Sequence, residues 1–155
     1  MNAENVQSFG DNHRLPIILT KLTGTSSPGT PESVTNPRRI LVVDDDADGL
    51  ASLSMLLTLV GHETSTAYDG LAAIDAAEKF NPDIVLLDLD LPKLNGHDVC
   101  RRIRSMPWGK SMMIVAVTGM SGEEHRVEAL GAGFDMHLVK PVSAEVLMTV
   151  LAAAS

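Results

Sequence analysis

The residues of this chain best equipped for chemistry each stand directly after a short apolar run. Asp44-Asp45-Asp46 follows Ile40-Leu41-Val42-Val43, and Asp88 follows Ile84-Val85-Leu86-Leu87; Thr118 follows Ala116-Val117, and Lys140 follows Leu138-Val139. Taken singly, each has an ordinary explanation: an acidic triplet is a solvated helix start, a lone threonine is a cap, a Lys-Pro pair is a turn. Taken together, they place carboxylates, a hydroxyl and an ammonium group at the ends of successive strands. Carboxylates gathered on one rim raise each other's pKa unless a cation intervenes. Mg2+ (or Mn2+) answers this, because it prefers oxygen ligands and keeps waters beside one or two carboxylates. Its remaining positions suit phosphoryl oxygens. Lys140 supplies a second positive charge and Thr118 a hydrogen-bond donor, and with the metal they would neutralise a phosphoryl group in transit. Asp88 is then the in-line nucleophile that forms an acyl phosphate.

Such a rim needs strands aligned side by side, and the pattern from Arg38 onward supplies them. Arg39 to Val43 is a β-branched run of the kind buried on both faces of a sheet. Asp46 to Val60 carries Leu50, Leu53, Leu56, Leu57 and Val60 at helical spacing, and Gly61 ends it. His62 to Ala67 alternates weakly, as an outer strand does. Asp69 caps a helix to Phe80, which Asn81-Pro82 stops. Asp83 to Leu87 is the most apolar strand and is therefore predicted to be central. Gly96 to Arg104 is a helix, Met112 to Val117 a strand, Gly122 to Leu130 a helix, and Asp135 to Val139 the fifth strand. Ser143 opens a last helix with Val146, Leu147, Val150 and Leu151 on one side. Five strand–helix units in alternation predict an α/β fold, a parallel sheet with right-handed crossovers and helices on both faces. Ligands of such sheets bind beyond the carboxyl ends of the strands.

The 155 residues suffice for one domain. A hydrophobic content of 45% with only 3% aromatic predicts a core of Leu, Val, Ile, Ala and Met. The net charge of −8 opposes binding to phosphate backbones and anionic lipid, so neither direct nucleic-acid contact nor a membrane is expected. A lone cysteine, Cys100, the lack of a signal peptide and the lack of a long apolar run predict a cytoplasmic protein. Residues 1–37 carry Pro16, Pro28, Pro31 and Pro37 and a Thr/Ser/Gly cluster, which predicts a flexible or disordered extension. Within it, Arg14 to Leu19 weakly resembles the last strand of a histidine-kinase ATP-binding domain. Residues 38–155 are expected to form the folded domain, and no second domain is expected after the fifth helix.

These motifs resemble the response-regulator receiver family, as in chemotaxis regulators and the receivers of hybrid sensor histidine kinases. The resemblance runs from Arg38 to about Ala154 and rests on Ile40 to Asp45, Asp83 to Pro92 with Gly96, Ala116 to Gly119, and Lys140-Pro141. It implies a flavodoxin-like fold with strand order 2-1-3-4-5. It further implies that Asp88 is phosphorylated, that Asp45 binds magnesium directly and Asp44 through water, and that Asp90 offers its backbone carbonyl to the metal. Thr118 and Lys140 would contact the phosphoryl group, and the Lys140–Pro141 bond would be cis. The implied partners are a histidine kinase or a histidine phosphotransfer protein as donor. A downstream protein would read the face made by the fourth helix, fifth strand and fifth helix.

Three positions depart from the family pattern. His137 aligns with the usual switch aromatic; an imidazole can swing as an aromatic does but also titrates near neutrality, and the plainer reading is a half-exposed strand residue. Asp90 and Met120 occupy the positions that tune phosphoryl lifetime in the family. The last helix has no Lys or Arg to pair with Glu123 and Glu124, so a monomer or weak homodimer is expected. The five histidines show no metal-ligand spacing, and Trp108 reads as a loop aromatic over an apolar edge. The rival function is a haloacid-dehalogenase-type phosphohydrolase, whose Asp-x-Asp pattern Asp88-Leu89-Asp90 shares; a receiver-like scaffold that is never phosphorylated is a third.

Overall fold

The computed structural model describes residues 36–153. The extension predicted for 1–37, including Arg14 to Leu19, lies almost wholly outside the described residues. Five strands alternate with five helices: β1 (Arg39–Val43), α1 (Ala47–Leu59), β2 (Glu63–Ala67), α2 (Gly70–Phe80), β3 (Ile84–Asp88), α3 (Gly96–Ser105), β4 (Met113–Thr118), α4 (Glu123–Ala132), β5 (Met136–Val139) and α5 (Ala144–Ala153). All pairings are parallel and the sheet order is β2-β1-β3-β4-β5. The fold class is the one the strand–helix alternation predicted, and the strand order is the one the receiver resemblance implied.

Period-two alternation divides the core between the two faces. Leu41, Val43, Val85, Leu87, Ile114 and Ala116 meet Ala73 and Ala77 of α2, Val99, Cys100 and Ile103 of α3, and Ala129 and Ala132 of α4. Ile40, Val42, Ile84, Leu86 and Val115 meet Leu50 and Leu57 of α1 and Val146, Leu147, Val150 and Leu151 of α5. β3 is buried along its whole length, as its unbroken apolar run requires of a central strand. β2, an edge strand, carries Glu63, Thr64, Ser65 and Thr66, a polar edge that discourages pairing with another sheet.

The helix ends follow their local chemistry. Asp69 caps α2 by accepting from the Ala72 amide at 2.8 Å, and Asn81 ends it in the left-handed region with φ 52°. Asn95 caps α3 through the Asp98 amide at 3.0 Å, and Gly133 at φ 110° ends α4. Trp108 sits in a single 3-10 turn, Pro107–Gly109, packed against the apolar cluster beneath α2 and α3. Because every strand runs the same way, all five strand-to-helix loops emerge on one edge of the sheet.

Candidate functional site

Asp88 is the last residue of β3, between β1 and β4, and is 5% exposed. Its two carboxylate oxygens have different partners. Oδ2 accepts from Lys140 Nζ at 3.1 Å, and Oδ1 accepts from the Asp90 amide at 3.0 Å. Lys140 Nζ also lies 3.6 Å from Asp44 Oδ2. The Lys140 main chain is fixed by its N–H, which donates to the Thr118 carbonyl at 2.7 Å and locks the end of β5 to β4. The Lys140–Pro141 peptide bond is cis.

Burial pushes the Asp88 carboxyl above its ordinary range; the Asp90 amide and Lys140 pull against this, and Asp44 adds to it. For Lys140, burial alone would lower the pKa, but the hydrogen bond and charge of Asp88, with Asp44, more than offset it, so the ammonium is held raised. Asp88 and Lys140 therefore form an ion pair at the bottom of the rim.

Asp44, Asp45 and Asp88 bring carboxylate oxygens within 4.8 Å of one another. Among the described residues no other group of three or more His, Cys, Asp and Glu side chains comes so close. Asp44 is half-buried, with its Oδ1 accepting from the Asp46 amide at 3.0 Å, whereas Asp45 is exposed. Three carboxylates offset by one ammonium leave surplus negative charge, and their oxygens suit a hard divalent cation. Thr118, at the end of β4, is 2% exposed and its Oγ1 accepts from the Met120 amide at 3.2 Å, which leaves its proton to donate. Asp90 is exposed at the rim.

The reading of His137 as half-exposed is corrected. It is 0% exposed, because its partner on β4 is Ala116, whose side faces α2, α3 and α4. Neither ring nitrogen has a hydrogen-bond partner. Burial lowers its pKa, and His125, Arg126 and His97 lower it further. His97 stacks edge-on with Phe134, ring centroids 6.1 Å apart, and its Nε2 is likewise buried without a partner. Sequence spacing gives no hint of this convergence, since the three histidines sit on α3, α4 and β5.

Residues 40–152 match the family model described as the response regulator receiver domain. The chain belongs to the response regulator receiver family. It is 41% identical over 131 residues to the transcriptional regulatory protein PrrA of Mycobacterium leprae (strain TN), a match covering 84% of this chain and 51% of that protein. It is 40% identical over 112 residues to the response regulator MprA of Mycobacterium sp. (strain KMS), covering 72% and 48%. Among solved structures, the chemotaxis protein CheY4 of Vibrio cholerae superposes with a TM-score of 0.73 at 28% identity, covering 77% of this chain and all of that one. The chain thus spans about half the length of the curated relatives it matches.

One expectation is overturned here. The acidic charge led to a reading without nucleic acid and with protein partners alone, yet matched receivers belong to transcriptional regulatory proteins. Net charge reports the surface of this receiver and carries no information about the half of those regulators that the match does not reach. The phosphohydrolase reading gains no support: the Asp88-Leu89-Asp90 motif begins at the end of the third strand of a receiver. Among the described residues no helix is long and apolar enough to cross a membrane.

Proposed function

We propose that this receiver is a phosphorylation-dependent signalling switch in which Asp88 is the phosphoacceptor. The observation that carries the reading is the split coordination of the Asp88 carboxylate, with Lys140 on Oδ2 and the Asp90 amide on Oδ1, at the focus of three strand ends. An Asp88 oxygen attacks the phosphorus of a two-component phosphoryl donor in line. The bond to the donor breaks, and its leaving group takes the electron pair. Lys140 faces the oxygens that gain charge, and the Thr118 hydroxyl donates to one of them. Asp44, Asp45, Asp88 and the Asp90 carbonyl are the groups that would hold Mg2+, or Mn2+. When bound, the ion would neutralise the carboxylates and polarise the phosphoryl group. The domain catalyses only its own phosphorylation and dephosphorylation, and a cytoplasmic setting goes with the buried, reduced thiol of Cys100.

Phosphorylation adds about 1.5 to 2 negative charges beside Lys140. Thr118 is in register with Val139 of β5, so its movement toward the phosphoryl group is felt at Val139 and then, two residues back, at His137. We assign His137 the switch role: its imidazole is buried with neither ring nitrogen hydrogen-bonded, so a change of rotamer breaks no hydrogen bond. The deciding experiment is incubation with acetyl phosphate and Mg2+ followed by intact-mass measurement. Wild type gains one phosphoryl group and Asp88→Asn gains none; no gain in wild type refutes the reading.

A further inference from the structure

The loop between β3 and α3, residues 89–95, carries the Asp90 amide that holds Asp88 Oδ1, and it is pinned from outside the reactive rim. Leu89 and Leu91 are 7% and 9% exposed and insert into the apolar cluster, leaving Asp90 between them facing solvent. At its far end, Gly96 lies so close to the Asp88 carbonyl that a Cβ would come within 2.7 Å of it. Its middle is seated on the start of α2. A Cβ on Gly70 would meet the Leu94 carbonyl oxygen at 2.3 Å, the Leu94 Cβ at 2.7 Å and Val99 Cγ2 at 2.9 Å. Lys93, a non-glycine residue at φ 71°, reaches Asp69 Oδ2 at 3.3 Å. The other oxygen of that carboxylate caps α2. One aspartate therefore fixes the helix start and the loop together.

We infer that Asp69 and Gly70, with Lys93 and Leu94 as their counterparts, are positioning residues that hold the Asp90 backbone against Asp88 and so set both the metal affinity and the phosphorylation rate. The inference rests on Asp88 being the reactive carboxylate. None of the four touches the reacting atoms. Their effect passes through the backbone of Pro92 and Leu91, and a shift of the loop moves the Asp90 amide and carbonyl together.

The test compares full-length wild type with Gly70→Ala, Lys93→Met and Lys93→Arg. Mg2+ affinity is measured by calorimetric titration with MgCl2, phosphorylation by mass gain from acetyl phosphate at saturating MgCl2, and stability by thermal melting. Gly70→Ala must displace a backbone carbonyl, and it weakens Mg2+ binding and slows phosphorylation by about tenfold or more. Lys93→Met breaks a largely exposed ion pair, so its effect on Mg2+ affinity is about two- to fivefold, and Lys93→Arg restores it. The melting temperatures of both Lys93 variants stay at the wild-type value. A packing role alone would lower the melting temperature of Gly70→Ala and leave affinity and rate unchanged in all three, which overturns the inference. If Gly70→Ala does not fold, the Lys93 pair decides: equal Mg2+ affinities in wild type and Lys93→Met overturn it. Wild type that gains no phosphoryl mass refutes the phosphoacceptor reading itself, whereas phosphorylated wild type indistinguishable from its variants refutes only the positioning role.

Discussion

At the amino ends of the strands, Arg39 and Arg104 bind backbone. Arg104 donates to the carbonyls of Gly133 at 2.9 Å, Gly109 at 3.0 Å and Met112 at 2.6 Å, and pairs with Asp135 at 2.8 Å. Asp135 accepts in turn from the Ile114 amide at 2.8 Å. Arg39 donates to the Phe80 carbonyl at 3.1 Å and lies over the Phe80 ring at 4.2 Å, while Asp83 accepts from the Arg39 amide at 2.9 Å. At the carboxyl ends three carboxylates cluster, and two of them, Asp44 and Asp88, share one lysine. The same residue types serve opposite ends by opposite means. Where donors and acceptors balance, charge ties loops to strands and stabilises the fold. Where acid outnumbers base, the site is left ready for a cation and a phosphoryl group, at some cost in stability.

Substitutions at each end should therefore separate reactivity from stability. Lys140→Met removes the cation facing the developing charge; phosphorylation from acetyl phosphate is expected to slow by about a hundredfold, read by mass gain over time, with little change in thermal melting. Arg104→Met does the reverse: it removes one partner of Asp135 and leaves several carbonyls without their donor, and is expected to cost about 2 kcal/mol in denaturant unfolding, with the phosphorylation rate unchanged in the folded fraction. A Lys140 variant that melts early, or an Arg104 variant that folds but is not phosphorylated, would break the contrast.

His137 offers a smaller effect with a defined sign. His97 from α3 and His125 and Arg126 from α4 face it, and burial followed by these charges lowers its pKa below the ordinary 6.5. The unfolded chain takes up a proton near pH 6.5 that the native state refuses, so this contribution is complete above that pH and stability falls as pH drops below it. The slope is at most about 1.4 kcal/mol per pH unit for the group. In His137→Phe that component is lost, while His62, also lowered by burial and then by Arg38, keeps its own. Unfolding curves between pH 5 and 7 that are parallel in wild type and variant would remove His137 from the account. The smallest effect is expected at Asp90, whose exposed carboxylate lies outside the hydrogen bonds to Asp88: Asp90→Asn changes the phosphoryl half-life by a few-fold, read by loss of phosphoryl mass after desalting.

Much of this molecule was legible along the chain. The apolar runs of β1 and β3 fixed them as interior strands, and the cap Asp69 and the stop at Asn81-Pro82 bounded α2. The positions of Asp44, Asp45, Asp88, Thr118 and Lys140 after those runs sufficed to predict a shared rim, because parallel strands can only end together on one side. His137 was misread because exposure on a short edge strand depends on which helix covers it, and the weakly patterned α4 does not announce that it lies there. The nucleic-acid expectation failed for a different reason, since a net charge belongs to the residues counted and not to the regulators that share this domain.

The sequence by itself determined the strand–helix alternation, the two-faced core and which side chains would gather, since these follow from periodicity and from chain direction. Only the tertiary structure decided how they are held: which oxygen of Asp88 meets Lys140, that Gly70 seats the Leu94 backbone, and that three histidines from separate elements converge. Those facts depend on distances of a few tenths of an ångström between residues far apart in sequence, and close packing of the whole domain sets them.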